Sequence, residues 1–311
     1  MNVFGEKWSF TSFGESHGAA IGGVLDGVPA GLSIDLSMIR SELEKRAGKG
    51  QTGTSPRAKN EPDEVEWLSG VMERTKDEGQ RTKELVTLGT PIAFIIRNQD
   101  ARPEDYEWLR HNYRVGHADK VYELKYGIRD WRGGGRASAR ETAARVVAGC
   151  IAKQQLAAKG ITIRASLVQV GAETDPDKFA ETIAAYQREG DSIGGIVECR
   201  INGLPVGTGE PIFNKLQAEL AFAMMSINAC KGFEYGTGFG GVSQPGSAIN
   251  HISGGIAGGI SDGSEIVFRC VFKPTPSTPK AGVKGRHDAC VATRAVPVVE
   301  AMTALALVNL L

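Results

Sequence analysis

A chain of 311 residues is long enough to bury a large core, as one large domain or two ordinary ones, and 41% hydrophobic with 23% charged residues is a globular composition. Lys plus Arg and Asp plus Glu number 36 each, so attraction for a charged ligand must come from local clustering, which argues against a general nucleic-acid binder. The opening Met-Asn-Val-Phe-Gly-Glu-Lys lacks a signal-peptide core, and no apolar run reads as a membrane span; the expectation is a soluble, cytoplasmic protein.

Taken in order, Phe10 to Gly18 is a polar, glycine-bracketed turn carrying Ser16 and His17. Ala20 to Leu25 reads as a strand, and Ile34 to Arg46 as a helix with Leu36, Ile39 and Leu43 on one face and Gly48 as its stop. Lys45 to Lys59 is basic and glycine-rich without hydrophobic period, either a solvated linker or a loop that closes on an anion. Val65 to Val71 and Thr90 to Arg97 are expected as buried strands of one sheet.

The stretch from His117 to Glu141 concentrates the chemistry. Three consecutive glycines, Gly133 to Gly135, let a backbone approach a ligand, and Arg136 and Arg140 follow at a helix start. Ser138 and Glu141 have capping-box spacing, and behind them Val146, Val147, Cys150 and Ile151 form an apolar stripe continued by Ala157 and Ala158, with Leu156 beside it. Positive side chains oppose the dipole at a helix N-terminus, a local conflict of the kind a functional site produces.

Strands are expected at Ile161 to Val170, Ile196 to Ile201 and Ile266 to Phe272, with helices opened by Asp175-Pro176 and marked by Phe213, Leu216, Leu220 and Ala223. Asn228 to Gly232 reads as a polar break, and Gly236 to Gly259 as a glycine-rich loop holding Asn250 and His251. A C-terminal helix carries Val298, Met302, Leu305 and Val308 inward. The five cysteines are widely spaced and read as buried thiols, with no pair at zinc or redox spacing.

Four of the five histidines lie in polar strings with glycine close by, and those strings resemble the chorismate synthase family in order and spread. They are Phe13-Gly-Glu-Ser-His-Gly18, Gly116-His-Ala-Asp119, Lys125-Tyr-Gly127, Gly133 to Thr142, Met225 to Ala229, Asn250-His251 with Gly254-Gly255, Lys273-Pro-Thr-Pro-Ser277 and Gly285-Arg-His-Asp288. The resemblance implies an α+β fold in a single domain over residues 1–311, a β-α-β-α sandwich, assembled as a homotetramer. It implies the anti 1,4-elimination of phosphate from 5-enolpyruvylshikimate 3-phosphate to give chorismate, dependent on reduced FMN. The flavin would be reduced either with NADPH by the chain itself or by an external flavin reductase.

Carried over by motif, the resemblance makes His17, His117 and Asp288 the acid/base groups and gives Ser16, Arg46, Arg114, Arg140 and Arg286 to the polyanionic substrate. Arg136, Ala137, Ser138, Asn228, Ala229, Gly258, the string Lys273, Pro274, Thr275, Pro276, Ser277, and Arg286 would surround FMN. Val115 stands where the family has proline, Ala137 where it has a serine, and Thr52 near where its basic loop has a second arginine. The segments before Asn250 and between Ser277 and Gly285 are shorter than in typical members. From glycine and arginine content alone, a phosphate-binding regulatory module without catalysis is the competing reading.

Overall fold

Period-two alternation builds two principal antiparallel sheets, in a computed structural model that describes residues 2–55, 60–75, 83–247, 253–283 and 287–311. The first sheet uses β1 (Val3–Phe4), β2 (Ser9–Phe13), β3 (Ala20–Asp26), β5 (Val65–Ser69) and β8 (Ile92–Arg97), in the order β1-β2-β3-β8-β5. Ile21 and Leu25 on β3, with Ile92, Phe94 and Ile96 on β8, point to one side and are fully buried. A small sheet beside it has the order β4 (Ser33–Ile34), β7 (Lys83–Thr87), β6 (Val71–Thr75). The expected strand Val65 to Val71 is therefore two, divided at Gly70, and β5 is largely exposed rather than buried.

The second large sheet is β11 (Cys230–Tyr235), β14 (Ile266–Phe272), β10 (Gly195–Asn202), β9 (Thr162–Val170), with the hairpin β12 (Ile256–Ala257) and β13 (Ile260–Ser261) outside it. Ile266, Phe268, Cys270 and Phe272 alternate inward along β14. Cys230 to Gly232, read as a break, instead begins a strand; its irregular register against β14 between Cys230 and Gly232 hides the period.

Between the sheets lie α1 (Leu36–Ala47), α3 (Thr142–Ala157) and α6 (Ala292–Leu310), while α2 (Asp119–Tyr126), α4 (Phe179–Arg188) and α5 (Leu216–Met225) lie around them. Packing runs from β2 and β3 onto α3, from α3 onto α6, and from α6 onto β9 and β10, with α4 against β9. Sheet and helix thus alternate in an α+β architecture. The α3–α6 crossing is close because position 149 is glycine: a Cβ there would stand 2.3 Å from the Cβ of Ala301.

Helix α6 is long and apolar enough to cross a membrane by length and composition, with a mean hydropathy of 1.3, which corrects the expectation that no segment is. It is instead the core helix. Val299, Ala304, Leu305 and Leu307 are buried on several of its faces, and each large aliphatic side chain contributes roughly 1.5–3 kcal/mol by leaving water.

Local signals hold in part. Asp35 caps α1 through Ser37 N at 2.9 Å and Met38 N at 3.0 Å, and Gly48 ends it with φ 70°. Ile39 and Leu43 are buried, but Leu36, in the first turn, is exposed. On α3 the stripe extends to Leu156, which is buried, whereas Ala157 and Ala158 are exposed. Phe213 is exposed ahead of α5. All five cysteines are free and buried.

Candidate active site

Both central helices begin at one cavity. Arg140, Glu141, Asp288, Val291 and Arg294, from the starts of α3 and α6, line a space of about 820 Å³. Their positive dipole ends favour anions there. Among the described residues, seven cationic side chains line the cavity, Arg46, Arg114, Arg136, Arg140, Arg145, Lys273 and Arg294, against the three carboxylates Glu61, Glu141 and Asp288. A chain of zero net charge has therefore gathered a local positive field.

The triple glycine shapes one wall. Gly133, Gly134 and Gly135 have φ of 60°, 89° and 51°, and a Cβ on Gly133 would come within 2.0 Å of the His17 ring. Only glycine lets this backbone lie against His17. Ser16 Oγ donates to Gly133 O at 3.3 Å and lies 3.0 Å from His17 Nδ1, so its oxygen accepts from that nitrogen. Tyr106 packs edge-on against His17, ring centroids 4.8 Å apart. His17 lines the cavity, while Ser16 is buried behind it.

After the glycines the chain makes two 3₁₀ turns before α3. The capping box is half formed: Ser138 Oγ accepts from Arg140 N at 3.3 Å, but the Glu141 carboxylate turns to Arg145 at 2.9 Å. The expected conflict of positive charge with the helix dipole is resolved by partners from elsewhere. Arg136 donates to Gly14 O at 3.0 Å and Ser12 Oγ at 2.8 Å. Arg140 pairs with Asp63 and donates to Asn98 Oδ1 at 2.9 Å and Arg97 O at 3.3 Å.

Arg46, near the end of α1, is buried beside them. Its Nε donates to Thr142 Oγ1 at 3.1 Å, Nη2 to Ala139 O at 2.7 Å, and Nη1 to Asp63 Oδ2 at 3.5 Å. Burial first, then neighbouring Arg294 and Arg140, push this guanidinium well below the usual arginine range. Asp288 accepts from Ser55 N at 2.8 Å and Arg294 Nη1 at 2.5 Å. Together with Ala289 N to Gly53 O at 2.8 Å, that contact packs residues 53–55 of the basic loop onto the site, where they are buried, while Lys49, Gly50 and Thr52 stay exposed.

Another part of the lining carries His117. Arg114 is held bidentate by Asp119, 2.9 Å and 2.8 Å, and Lys273 Nζ donates to Gly116 O at 3.1 Å. Burial, with Arg114 and Lys273 nearby, pushes His117 down to about 4 despite the opposing pull of Asp119. Its imidazole is therefore neutral at physiological pH. Asn228 Nδ2 donates to Ala137 O at 3.2 Å, and Ala229 O accepts from Lys273 N at 3.0 Å. Ala229 holds φ 66°, a left-handed conformation strained for a residue with a β-carbon.

Most residues expected from sequence thus converge: His17, Arg46, Arg114, His117, Arg136, Ala137, Ser138, Arg140, Asn228, Ala229, Lys273 to Ser277 and Asp288 all line the cavity. Gly258 does not; it sits in the β12–β13 turn with no side-chain contact awaiting it. Arg286, His251 and Asn250 lie outside the described residues. Sequence reading passed over Asp63, Glu61, Tyr106, Arg145 and Arg294. The acidic Glu61-Pro62-Asp63 directly after a basic loop was the available signal for two of them; a single tyrosine or arginine carries none.

A cation-rich cavity at paired helix N-termini, on an α+β scaffold, defines an enzyme that handles a polyanion. The model of the chorismate synthase family matches residues 8–311. Chorismate synthases of Christiangramia forsetii and Bacteroides thetaiotaomicron are 45% and 44% identical to the chain, alignments that cover 99% of it and 96% and 97% of those proteins. A crystal structure of chorismate synthase superposes with a TM-score of 0.76 at 29% identity, covering 99% of this chain and 92% of that one. The chain belongs to the chorismate synthase family, carbon–oxygen lyases of the shikimate pathway that depend on reduced flavin. The first alignment spans 356 positions against 311 residues, so at least 45 positions of that relative have no counterpart here.

Proposed function

We propose that this chain converts 5-enolpyruvylshikimate 3-phosphate to chorismate and phosphate with reduced FMN held against the His117 wall. One observation carries the assignment of that wall: His117 Nε2, Asn228 Oδ1 and Ser277 Oγ are buried there without hydrogen-bond partners among the described residues. Unmatched buried polar atoms are costly, and a polar ring system with a phosphate tail is the kind of ligand that would satisfy them. The residues fit the cofactor. When bound, reduced flavin supplies transient electron density and accepts hydrogen at N5, chemistry no side chain offers.

Arg136, Ala137, Ser138, Asn228, Ala229 and the Lys273 to Ser277 string hold FMN, joined by Arg286. Arg46, Arg114, Arg140 and Arg286 bind the substrate's phosphate and carboxylates, with Ser16 orienting His17. With the Ser16 hydroxyl accepting from Nδ1–H, His17 gives its proton to departing phosphate from Nε2 as the imidazolium, with hydrogen on both ring nitrogens, and is left neutral. Neutral His117 can donate or accept one hydrogen bond at Nε2, and an anionic edge placed there raises its proton affinity. Asp288, fixed by Ser55 and Arg294, is positioned to relay a proton.

FMN as the particular flavin, a cytoplasmic location and a homotetramer complete the proposal; exposed Val115, Leu124, Ile128 and Phe213 are surfaces that self-association would cover. Turnover with NADPH in air, without chemical reductant, distinguishes self-reduction of the flavin from reliance on an external reductase. The deciding experiment is an anaerobic assay with chemically reduced FMN. It is expected to release phosphate and form chorismate, with His17→Ala slower by about 10²-fold or more. Folded protein that forms no chorismate under these conditions defeats the reading.

A further inference from the structure

Asp63 does not line the cavity, yet among the described residues it is the one carboxylate that touches both buried arginines of the substrate wall. Its two oxygens are divided between them, Oδ1 to Arg140 Nη1 and Oδ2 to Arg46 Nη1. Glu61, the nearest alternative, is itself engaged by Gln99 N at 3.0 Å and stands 3.9 Å from Arg140 alone. Asp63 adopts φ 51°, one of three non-glycine residues in the left-handed region among the described residues, the others being Asn214 and Ala229. Ala229 also lies at the cavity. Strained backbone at such a place persists where the surrounding structure requires it.

We propose that Asp63 is a positioning residue for this reaction, holding Arg46 and Arg140 side by side with their free N–H groups presented to the anion. The inference rests on the elimination reading above. A guanidinium has five N–H donors. Arg46 commits three, to Thr142, Ala139 and Asp63, and Arg140 commits three, to Asn98, Arg97 and Asp63. Each keeps donors for a ligand. Without the bridging carboxylate, two buried like charges would repel and part, losing the paired geometry that anion recognition needs.

The test compares Asp63→Asn, which keeps shape and tolerates left-handed φ, with Asp63→Glu, which keeps charge but moves the oxygens. Steady-state turnover of the full chain with reduced FMN is expected to show KM for substrate raised about tenfold or more in both variants, with kcat changed by less. Calorimetry with inorganic phosphate on flavin-free protein is expected to show weaker binding in both. If Asp63 were only a counter-charge, Asp63→Asn would bind anions more tightly and Asp63→Glu would match the parent; either result overturns the proposal. A lowered melting temperature with unchanged KM and phosphate binding would also overturn it, as a purely structural role. Should Asp63→Asn not fold, Asp63→Glu decides by the same criteria. A parent protein that makes no chorismate strikes the functional reading alone, since the phosphate measurement still judges Asp63.

Discussion

The two walls of the cavity are built on opposite principles. On the Arg46–Arg140 side each guanidinium is already fixed by neighbours, and the cost of assembling like charges has been met during folding by Asp63, Glu61 and backbone carbonyls. On the His117 side, His117, Asn228 and Ser277 leave polar atoms unmatched, and the imidazole is held neutral. One wall is preorganised for charge, so little rearrangement is needed as negative charge develops on a leaving phosphate. The other gains its missing bonds only when a ligand arrives. Folding stability should therefore depend chiefly on the first wall, which also sets affinity for the anionic substrate, and flavin affinity on the second.

That contrast can be broken most severely at Arg140. Arg140→Met leaves Asp63 buried with a weakened partner set, and the loss of a buried pair is expected to cost about 3–5 kcal/mol. Denaturant unfolding without ligands measures it, and a change below about 1 kcal/mol would mean the wall is not part of the fold's stability. At Asn228 the reverse is expected. Asn228→Ala should weaken flavin binding about tenfold, equivalent to about 1.4 kcal/mol, while ligand-free stability falls by less than that. A tenfold loss absent from flavin titration would remove Asn228 from the cofactor wall.

The smallest effect concerns protons. His117 has a folded-state pKa depressed to about 4 from an ordinary value of 6.5, so the stability it contributes is present above 6.5 and lost as pH falls through 4. An anionic flavin raises that pKa, so binding takes up as much as about one proton and tightens as pH falls toward the new value. Isothermal titration in two buffers of different ionisation enthalpy reads the uptake. It should vanish in His117→Gln.

How far the sequence alone reached is visible at particular residues. The strand of Ile266 to Phe272 was legible because a short run that is apolar but for Arg269, with β-branched and aromatic residues, reads as a strand. On α3, Leu156 was misplaced because that helix packs on α1, α6 and β3 together, and its buried face is wider than one stripe. Glu141 had the spacing of a capping box, yet Arg145 on the next turn supplied a stronger, charged partner.

The sequence by itself determined which chemical groups are present and which segments alternate, because glycine triplets, apolar periods and histidine-bearing strings are properties of neighbouring residues. It also carried enough ordered strings to indicate the family. Only the tertiary structure decided that Asp63 and Arg140, 77 residues apart, form one buried unit, and that Arg294 of α6 braces Asp288. Those pairings are set by where α1, α3 and α6 pack, and the electrostatic energy that governs them depends on distance and burial rather than on order along the chain.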